Sequence, residues 1–323
     1  MTFAQKDTIT ILGNDIKIGE RFEANFNVAK LHTSSSIDVP VIIERSKKPG
    51  PVVLFTAGIH GDEVNGVEIV RYLIANGINK PKCGTIICIP IINVFGFVNL
   101  KREFPDGRDL NRVFPGLKNG SLASRVAYKL VEEVVKEVDL VIDFHTGGSG
   151  RFNAPQIRIE KNNSELDKLA ETFGVPFVLY SKNIKKTFRN TCKNLGKPML
   201  LFEGGKSFQI DNDITNSAVD GAKRVLNSLG MLSSKFNVSN PTENPVYIIS
   251  SRWQRAKFSG MFKSSIKVGS KVEKGDILGN ITDPYGKFNF FVKASVSGYI
   301  INVNESPIVY QGDALFHFST ELK

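Results

Sequence analysis

Four short runs of the chain are apolar almost from end to end: PVVLFTAG (51–58), TIICIPIIN (85–93), LVIDFHT (140–146) and MLLFEGG (199–205). A strand with one wet face alternates apolar and polar residues, so runs without alternation belong where both faces of a sheet are covered. The segments between them carry the complementary signal. Ser121 to Val138 sets Val126, Leu130, Val134 and Val138 at four-residue steps, and Thr215 to Gly230 spaces Val219, Ala222, Leu226 and Leu229 by three or four before a terminating glycine. That is the repeat of a helix with one buried stripe. Buried strands alternating with such helices predict an α/β domain over residues 1–235, with residues 1–45 supplying edge strands, most clearly from residue 10.

The pattern changes near Phe236, where the polar stretch FNVSNPTENP (236–245) separates two ordered regions. Beyond it the pieces VYIIS, GMFKSSI, DILGNIT, FNFFVKA, YIINVN and ALFHFS recur roughly every ten residues between Gly, Pro and Asp, which predicts a small all-β barrel or sandwich over 246–323. A chain of 323 residues has room for one large and one small domain.

Several function classes lose support on composition. No run approaches the roughly 18 apolar residues of a membrane span. Met1 to Gly13 lacks the basic start and apolar core of a secretory signal, and three scattered cysteines do not make a disulfide framework, so a cytoplasmic protein is expected. The net charge of +10 is spread over dispersed lysines such as Lys47, Lys118 and Lys267, without interleaved aromatics. It reads as a solvated surface that draws in anionic substrates, with no nucleic-acid partner and no membrane partner.

Chemistry concentrates at the ends of the apolar runs. In AGIHGDEVNG (57–66), His60 and Glu63 stand three apart where a buried strand turns into a helix, so both can face one metal ion. Zinc accepts imidazole and carboxylate ligands, and three protein ligands leave a catalytic position open. An H-x-x-E pair alone is more often surface chemistry than a site. In LVIDFHTGG (140–148), Asp143 and His145 share a face of the strand, and open α/β sheets bind ligands beyond the carboxyl ends of their strands, where His145 can meet His60. Asp143 is either the carboxylate that orients a metal-bound imidazole or an isolated buried acid. KPMLLFEGG (197–205) ends in Glu203, an acid at the same sheet edge and a natural general base. RDLNRVFPG (108–116) offers Asn111 and Arg112 in a loop, Arg being suited to bidentate carboxylate recognition.

Taken together, G-x-H-G-x-E, D-L-N-R, D-x-H and E-x-G in this order resemble the succinylglutamate desuccinylase and aspartoacylase family, within the wider zinc carboxypeptidase fold group. The resemblance covers roughly residues 45–230. It implies a mixed, mainly parallel sheet between helices, with one zinc per chain on His60, Glu63 and His145. It further implies Glu203 as the group that activates water and protonates the leaving amine, and Asn111 with Arg112 holding a substrate carboxylate. The family's oxyanion-stabilising arginine is offered here by Arg102 or Arg108, with Arg102 preferred, and Arg189 sits where relatives carry a second carboxylate-binding arginine. The implied substrate is a small N-acyl amino acid or diamino acid.

The region after 246 resembles a biotinyl/lipoyl-type barrel, in VGSKVEKGDILGNI, ASVSGYI and YQGDALFHFS. Lys287 falls near the position of the modified lysine of such domains, but the tip reads TDPYGKF, so Lys287 is expected to be unmodified and the region to serve structure or homo-oligomer formation. His317 is expected in the core and His32 on the surface. Peptide carboxypeptidase action and a non-catalytic binding or carrier role are the competing functions, the second opposed by retention of the whole constellation. Loops at 147–160 and 180–192 are expected to shape the pocket.

Overall fold

The computed structural model describes residues 8–30, 33–241 and 244–323, so His32 lies outside the described residues. In chain order, β1 (Thr8–Ile11) pairs with β2 (Asn14–Lys17), and β3 (Arg21–Lys30) with β4 (Ser36–Arg45). There follow β5 (Val52–Ala57), α1 (Val64–Ala75), β6 (Thr85–Ile89), α2 (Val94–Asn99), α3 (Leu122–Glu133), β7 (Leu140–Gly147), β8 (Arg151–Ile159), α4 (Ser164–Phe173), β9 (Phe177–Tyr180), α5 (Phe188–Asn194), β10 (Met199–Lys206) and α6 (Asn212–Ser228). Beyond these the described elements are strands: β11 (Val246–Arg255), β12 (Gly260–Ser264), β13 (Lys271–Val272), β14 (Ile277–Thr282), β15 (Asn289–Lys293), β16 (Gly298–Asn304), β17 (Ile308–Val309) and β18 (Ala314–Leu322).

The four apolar runs become β5, β6, β7 and β10, which lie side by side as β6-β5-β7-β10, all parallel. Their unbroken apolar character has the expected cause. Val53, Phe55 and Ala57 of β5 join a core beneath α1, α4 and α6, while Leu54 joins a second core beneath α3 and α5. The helices therefore cover both faces, and α1 sits close: a Cβ at Gly66 would lie 2.4 Å from the carbonyl oxygen of Phe144, so only glycine permits this approach of helix to strand.

Helix limits follow local chemistry. Asp211 caps α6, its side chain accepting from the N–H groups of Asp213 and Ile214, and Gly230 follows the helix at φ +70°. The stripe expected over 121–138 is shorter as a helix. After Glu133, Val134 leaves helical geometry and Val135–Glu137 forms a single 3-10 turn, although Val134 and Val138 are buried as the spacing requires.

Two expectations need correction. The sheet is mixed, but parallel only within β6-β5-β7-β10 and β8-β9-β11; it turns antiparallel where β10 meets β8, where β4 and β3 join β6, and where β18, β16 and β13 follow β11. Residues 151–159, assigned by sequence to a loop, form β8 in the middle of the sheet, where buried Asn153 and Gln156 break the apolar run that marks its neighbours.

After 246, β11, β18, β16 and β13 extend the same sheet, while β12, β14, β15 and β17 form a separate four-stranded sheet. β11 pairs with β9, β18 with β11 and β16 with β18, and β16 returns to pair with β8 at Arg151–Asn153, beside the β9 register at Gln156–Ile159. Five strands, β8-β9-β11-β18-β16, thus close a ring around Ala154, Phe177, Leu179, Ile248 and Ile301. Lys287 is exposed in the turn between β14 and β15.

His317 on β18 is buried, at 8% exposure, and stacks on Trp253 with ring centroids 4.5 Å apart. Burial, with Arg158 nearby, pushes its pKa down to about 3. The unfolded chain binds this proton below about pH 6.5, whereas the folded one excludes it until about pH 3, so stability present above pH 6.5 drains away on acidification. His317→Gln is expected to remove about 2 kcal/mol of the stability loss between pH 7 and pH 5, read from urea midpoints at the two pH values.

Candidate metal centre and active site

Beyond the carboxyl ends of β5, β7 and β10 lies a pocket of about 520 Å³, within the range that suits a small molecule. Glu63 stands at the N-cap of α1 without a side-chain capping bond, so its carboxylate is available to the pocket. Oε1 of Glu63 lies 2.7 Å from Nδ1 of His60, and Oε2 lies 2.8 Å from Nδ1 of His145 and accepts the Thr146 N–H at 3.0 Å. Gly61 holds the turn between them: a Cβ there would come within 1.9 Å of the Gly96 backbone.

The far ring nitrogens are also held. Nε2 of His145 is 2.8 Å from Oδ2 of Asp143, whose Oδ1 accepts the Thr56 hydroxyl at 2.7 Å. Nε2 of His60 is 3.2 Å from Oδ1 of Asp109, the residue that opens the 3-10 turn Leu110–Arg112. Carboxylates behind imidazoles in this way fix ring orientation and tautomer, and leave the Nδ1 atoms as ligands. Sequence reading paired Asp143 with His145 but missed Asp109, although the D-L-N-R motif contains it.

Ligand atoms of His60, Glu63 and His145 all lie within 4.8 Å of one another. Burial opposes charge on each of the three, yet Glu63 is held well below the usual carboxylate range by the two imidazoles. His145 is raised well above its ordinary value by Asp143 and Glu63, and His60 is raised by Glu63 and Asp109. Protein groups alone satisfy the buried carboxylates by keeping protons on the rings. A divalent cation among the same atoms would supply that positive charge instead, and two imidazoles with one carboxylate are an accepted zinc set.

Around this centre the arginines separate. Arg102 places Nη1 3.4 Å from Oε1 of Glu63 and Nη2 2.9 Å from Oδ2 of Asp109, whereas Arg108 pairs with Asp106 and does not line the pocket. Burial alone would raise Asp109, but His60 and Arg102 hold it well below the carboxylate range. Asn111 and Arg112 line the pocket; Oδ1 of Asn111 accepts the Phe188 N–H at 2.9 Å, so its amide nitrogen is the group it can offer a ligand. Arg189 also lines the pocket, braced by Ser181 Oγ at 2.9 Å, and burial next to Arg158 pushes it down to about 10.

Glu203 faces the same space, with Oε2 accepting from Asn153 Nδ2 at 2.8 Å and from Arg158 Nη2 at 3.1 Å. Asn153, Arg158, Trp253 and Asn302 complete this wall, and none of them was anticipated from sequence. The only local signal was the polar pair in RFNAPQIRI; Trp253 and Asn302 arrive through the closure of the ring.

With this geometry in place, comparison with known proteins is decisive for ancestry. The sequence model of the succinylglutamate desuccinylase/aspartoacylase catalytic domain matches residues 49–229. The chain belongs to this family. Among its relatives is the N-alpha-acetyl-L-2,4-diaminobutyric acid deacetylase of Halomonas elongata, 26% identical over 263 residues, which are 77% of this chain and 75% of the relative. Two solved structures share the fold along nearly the whole chain. The succinylglutamate desuccinylase/aspartoacylase of Rhodobacter sphaeroides superposes with a TM-score of 0.81 at 22% identity, over 94% of this chain and 96% of the other. The product-bound ectoine utilization protein EutE (DoeB) of Ruegeria pomeroyi gives 0.82 at 21% identity, over 98% and 100%.

Proposed function

We propose that the protein is a zinc-dependent hydrolase of the amide bond of a small N-acyl amino acid. The supporting observation is that two imidazole Nδ1 atoms converge on one carboxylate, each ring backed by a further carboxylate, in the same pocket as Glu203. The deacetylase activity of the Halomonas elongata relative supports the reaction class.

His60, Glu63 and His145 would hold the ion. When bound, zinc lowers the pKa of water from about 15.7 to about 7 and polarises the acyl carbonyl. Glu203, with Oε2 held by two donors, takes the proton of the attacking water on Oε1 and delivers it to the leaving amine nitrogen. Arg102, alongside Glu63, faces the charge that develops on the carbonyl oxygen. Asn111, Arg112 and Arg189 take the substrate carboxylate.

Charge balance narrows the substrate. Glu63, Asp109, Asp143 and Glu203 are each engaged by a histidine or an arginine, whereas Arg112, Arg151, Lys182 and Arg189 line the pocket with no carboxylate hydrogen-bonded to them among the described residues. An anion is favoured over a free ammonium, and so the amino-acid form over the diamino-acid form.

Turnover of N-acetyl, N-succinyl and dipeptide substrates by zinc-loaded protein tests the assignment; cleavage of dipeptides alone would make it a carboxypeptidase. Arg112→Ala is expected to lower kcat/KM for an N-acetyl amino acid by about 10- to 100-fold, the worth of a hydrogen bond to a charged group, while leaving the carboxamide analogue little changed. Equal efficiency of carboxylate and carboxamide substrates with the wild-type enzyme would remove the anchoring role, and Arg112→Lys should not restore the lost efficiency because a point charge cannot reproduce the guanidinium fork.

A further inference from the structure

We propose that Asn302, carried by β16, is a positioning residue for Glu203 and acts on it through Asn153; the proposal rests on Glu203 being the general base. The closure of β16 onto β8 sets Asn302 directly opposite Asn153. Both are buried, at 3% and 2% exposure. Nδ2 of Asn302 donates to Oδ1 of Asn153 at 2.6 Å, and Nδ2 of Asn153 donates to Oε2 of Glu203 at 2.8 Å.

The direction of this chain is fixed at the Glu203 end. A carboxylate only accepts, so Asn153 must present its NH₂ to Glu203; turned over, it would set oxygen against oxygen. With Asn153 so turned, Asn302 supports it from the other side by donating its NH₂ to the carbonyl, the Oδ1 of Asn302 having no partner among the described residues. Arg158 donates to the same Oε2 at 3.1 Å. One donor leaves a carboxylate free to swing about that contact, whereas two donors on one oxygen set its plane and leave Oε1 to accept a proton. In the reaction the O–H bond of water breaks as the Oε1–H bond forms, and that proton then passes to the nitrogen as the C–N bond breaks. Both transfers depend on where Oε1 points, and misplacement of about 1 Å can cost about 10²-fold.

Asn302 lies outside residues 49–229, the part matched by the catalytic domain of the family. The strands after 246 therefore do more than extend the sheet: they supply the group that aims the base.

The test uses the full zinc-loaded chain and an N-acetyl amino acid substrate. Asn302→Asp keeps the size but removes the donor, so Asn153 turns its NH₂ away from Glu203; Asn302→Ala leaves Asn153 unguided. Each is expected to lower kcat about 10- to 100-fold with KM within about twofold and zinc content unchanged. The Asn302→Ala/Asn153→Ala double variant should lose no more than Asn153→Ala alone, since one acts through the other. Where a variant fails to fold by circular dichroism, Asn302→Leu, close in size and without a donor, takes its place. A kcat within about twofold of wild type, or a double loss equal to the product of the single losses, overturns the proposal. Glu203→Gln in the same assay separates the two claims. If it retains wild-type turnover, the base lies elsewhere and both fall; if it is inactive while Asn302→Asp keeps wild-type kcat, the positioning role alone falls.

Discussion

Replacing His145 with alanine is expected to strip most of the zinc from the protein and nearly all of its activity. His145 contributes one of two imidazoles to a three-ligand set, and its loss leaves His60 and Glu63 to hold the ion by themselves. The substitution also releases Asp143, whose Oδ2 would lose its ring partner at 1% exposure, so some loss of thermal stability should accompany the loss of metal. Elemental analysis of protein dialysed against zinc at equal concentration reads the effect directly. Equal zinc content in wild type and His145→Ala would place the metal elsewhere. Asp143→Asn and Asp109→Asn give intermediate cases, because a carboxylate behind a ligating histidine typically contributes about 10- to 100-fold in metal affinity or activity.

Glu203→Gln is expected to do the opposite: zinc stays and turnover collapses. Glutamine keeps the length of the side chain and can accept from Asn153 and Arg158 through its carbonyl oxygen, so the wall of the pocket is preserved. It cannot hold a proton for transfer. General acid–base catalysis contributes about 10²- to 10⁴-fold, and a loss of that size in kcat with KM little changed is the expected result. Activity within about threefold of wild type would remove Glu203 from the chemistry. Measured together, the two variants separate metal binding from proton transfer.

The metal ligands and the base that sequence reading could group share one property: each ends an apolar run or follows it within a few positions. His60 and Glu63 follow β5, His145 lies within β7 and Glu203 within β10, and a parallel sheet necessarily brings such positions to one edge. What stayed hidden depends on pairings distant along the chain. Asp109 reaches His60 across 49 positions and Asn302 reaches Asn153 across 149, and no local periodicity encodes either contact. The choice between Arg102 and Arg108 likewise rested on resemblance, since both flank the same turn; the fold distinguishes them by tying Arg108 to Asp106. β8 escaped notice because a strand with polar residues buried on a pocket wall looks, in sequence, like a strand facing water.

The five-strand ring has a consequence for how the pocket can open. Two-part enzymes commonly admit ligands by swinging one part against the other about a single connection. Here the two parts are joined at two separate seams, β9 to β11 and β8 to β16. Any swing would have to break backbone hydrogen bonds at one seam or the other. A rigid swing would therefore cost strand pairing, and the pocket-lining residues that lie outside the sheet, among them Gly148 and Ser149 before β8 and Ser181, Lys182, Ile184 and Thr187 before α5, are not held by those seams.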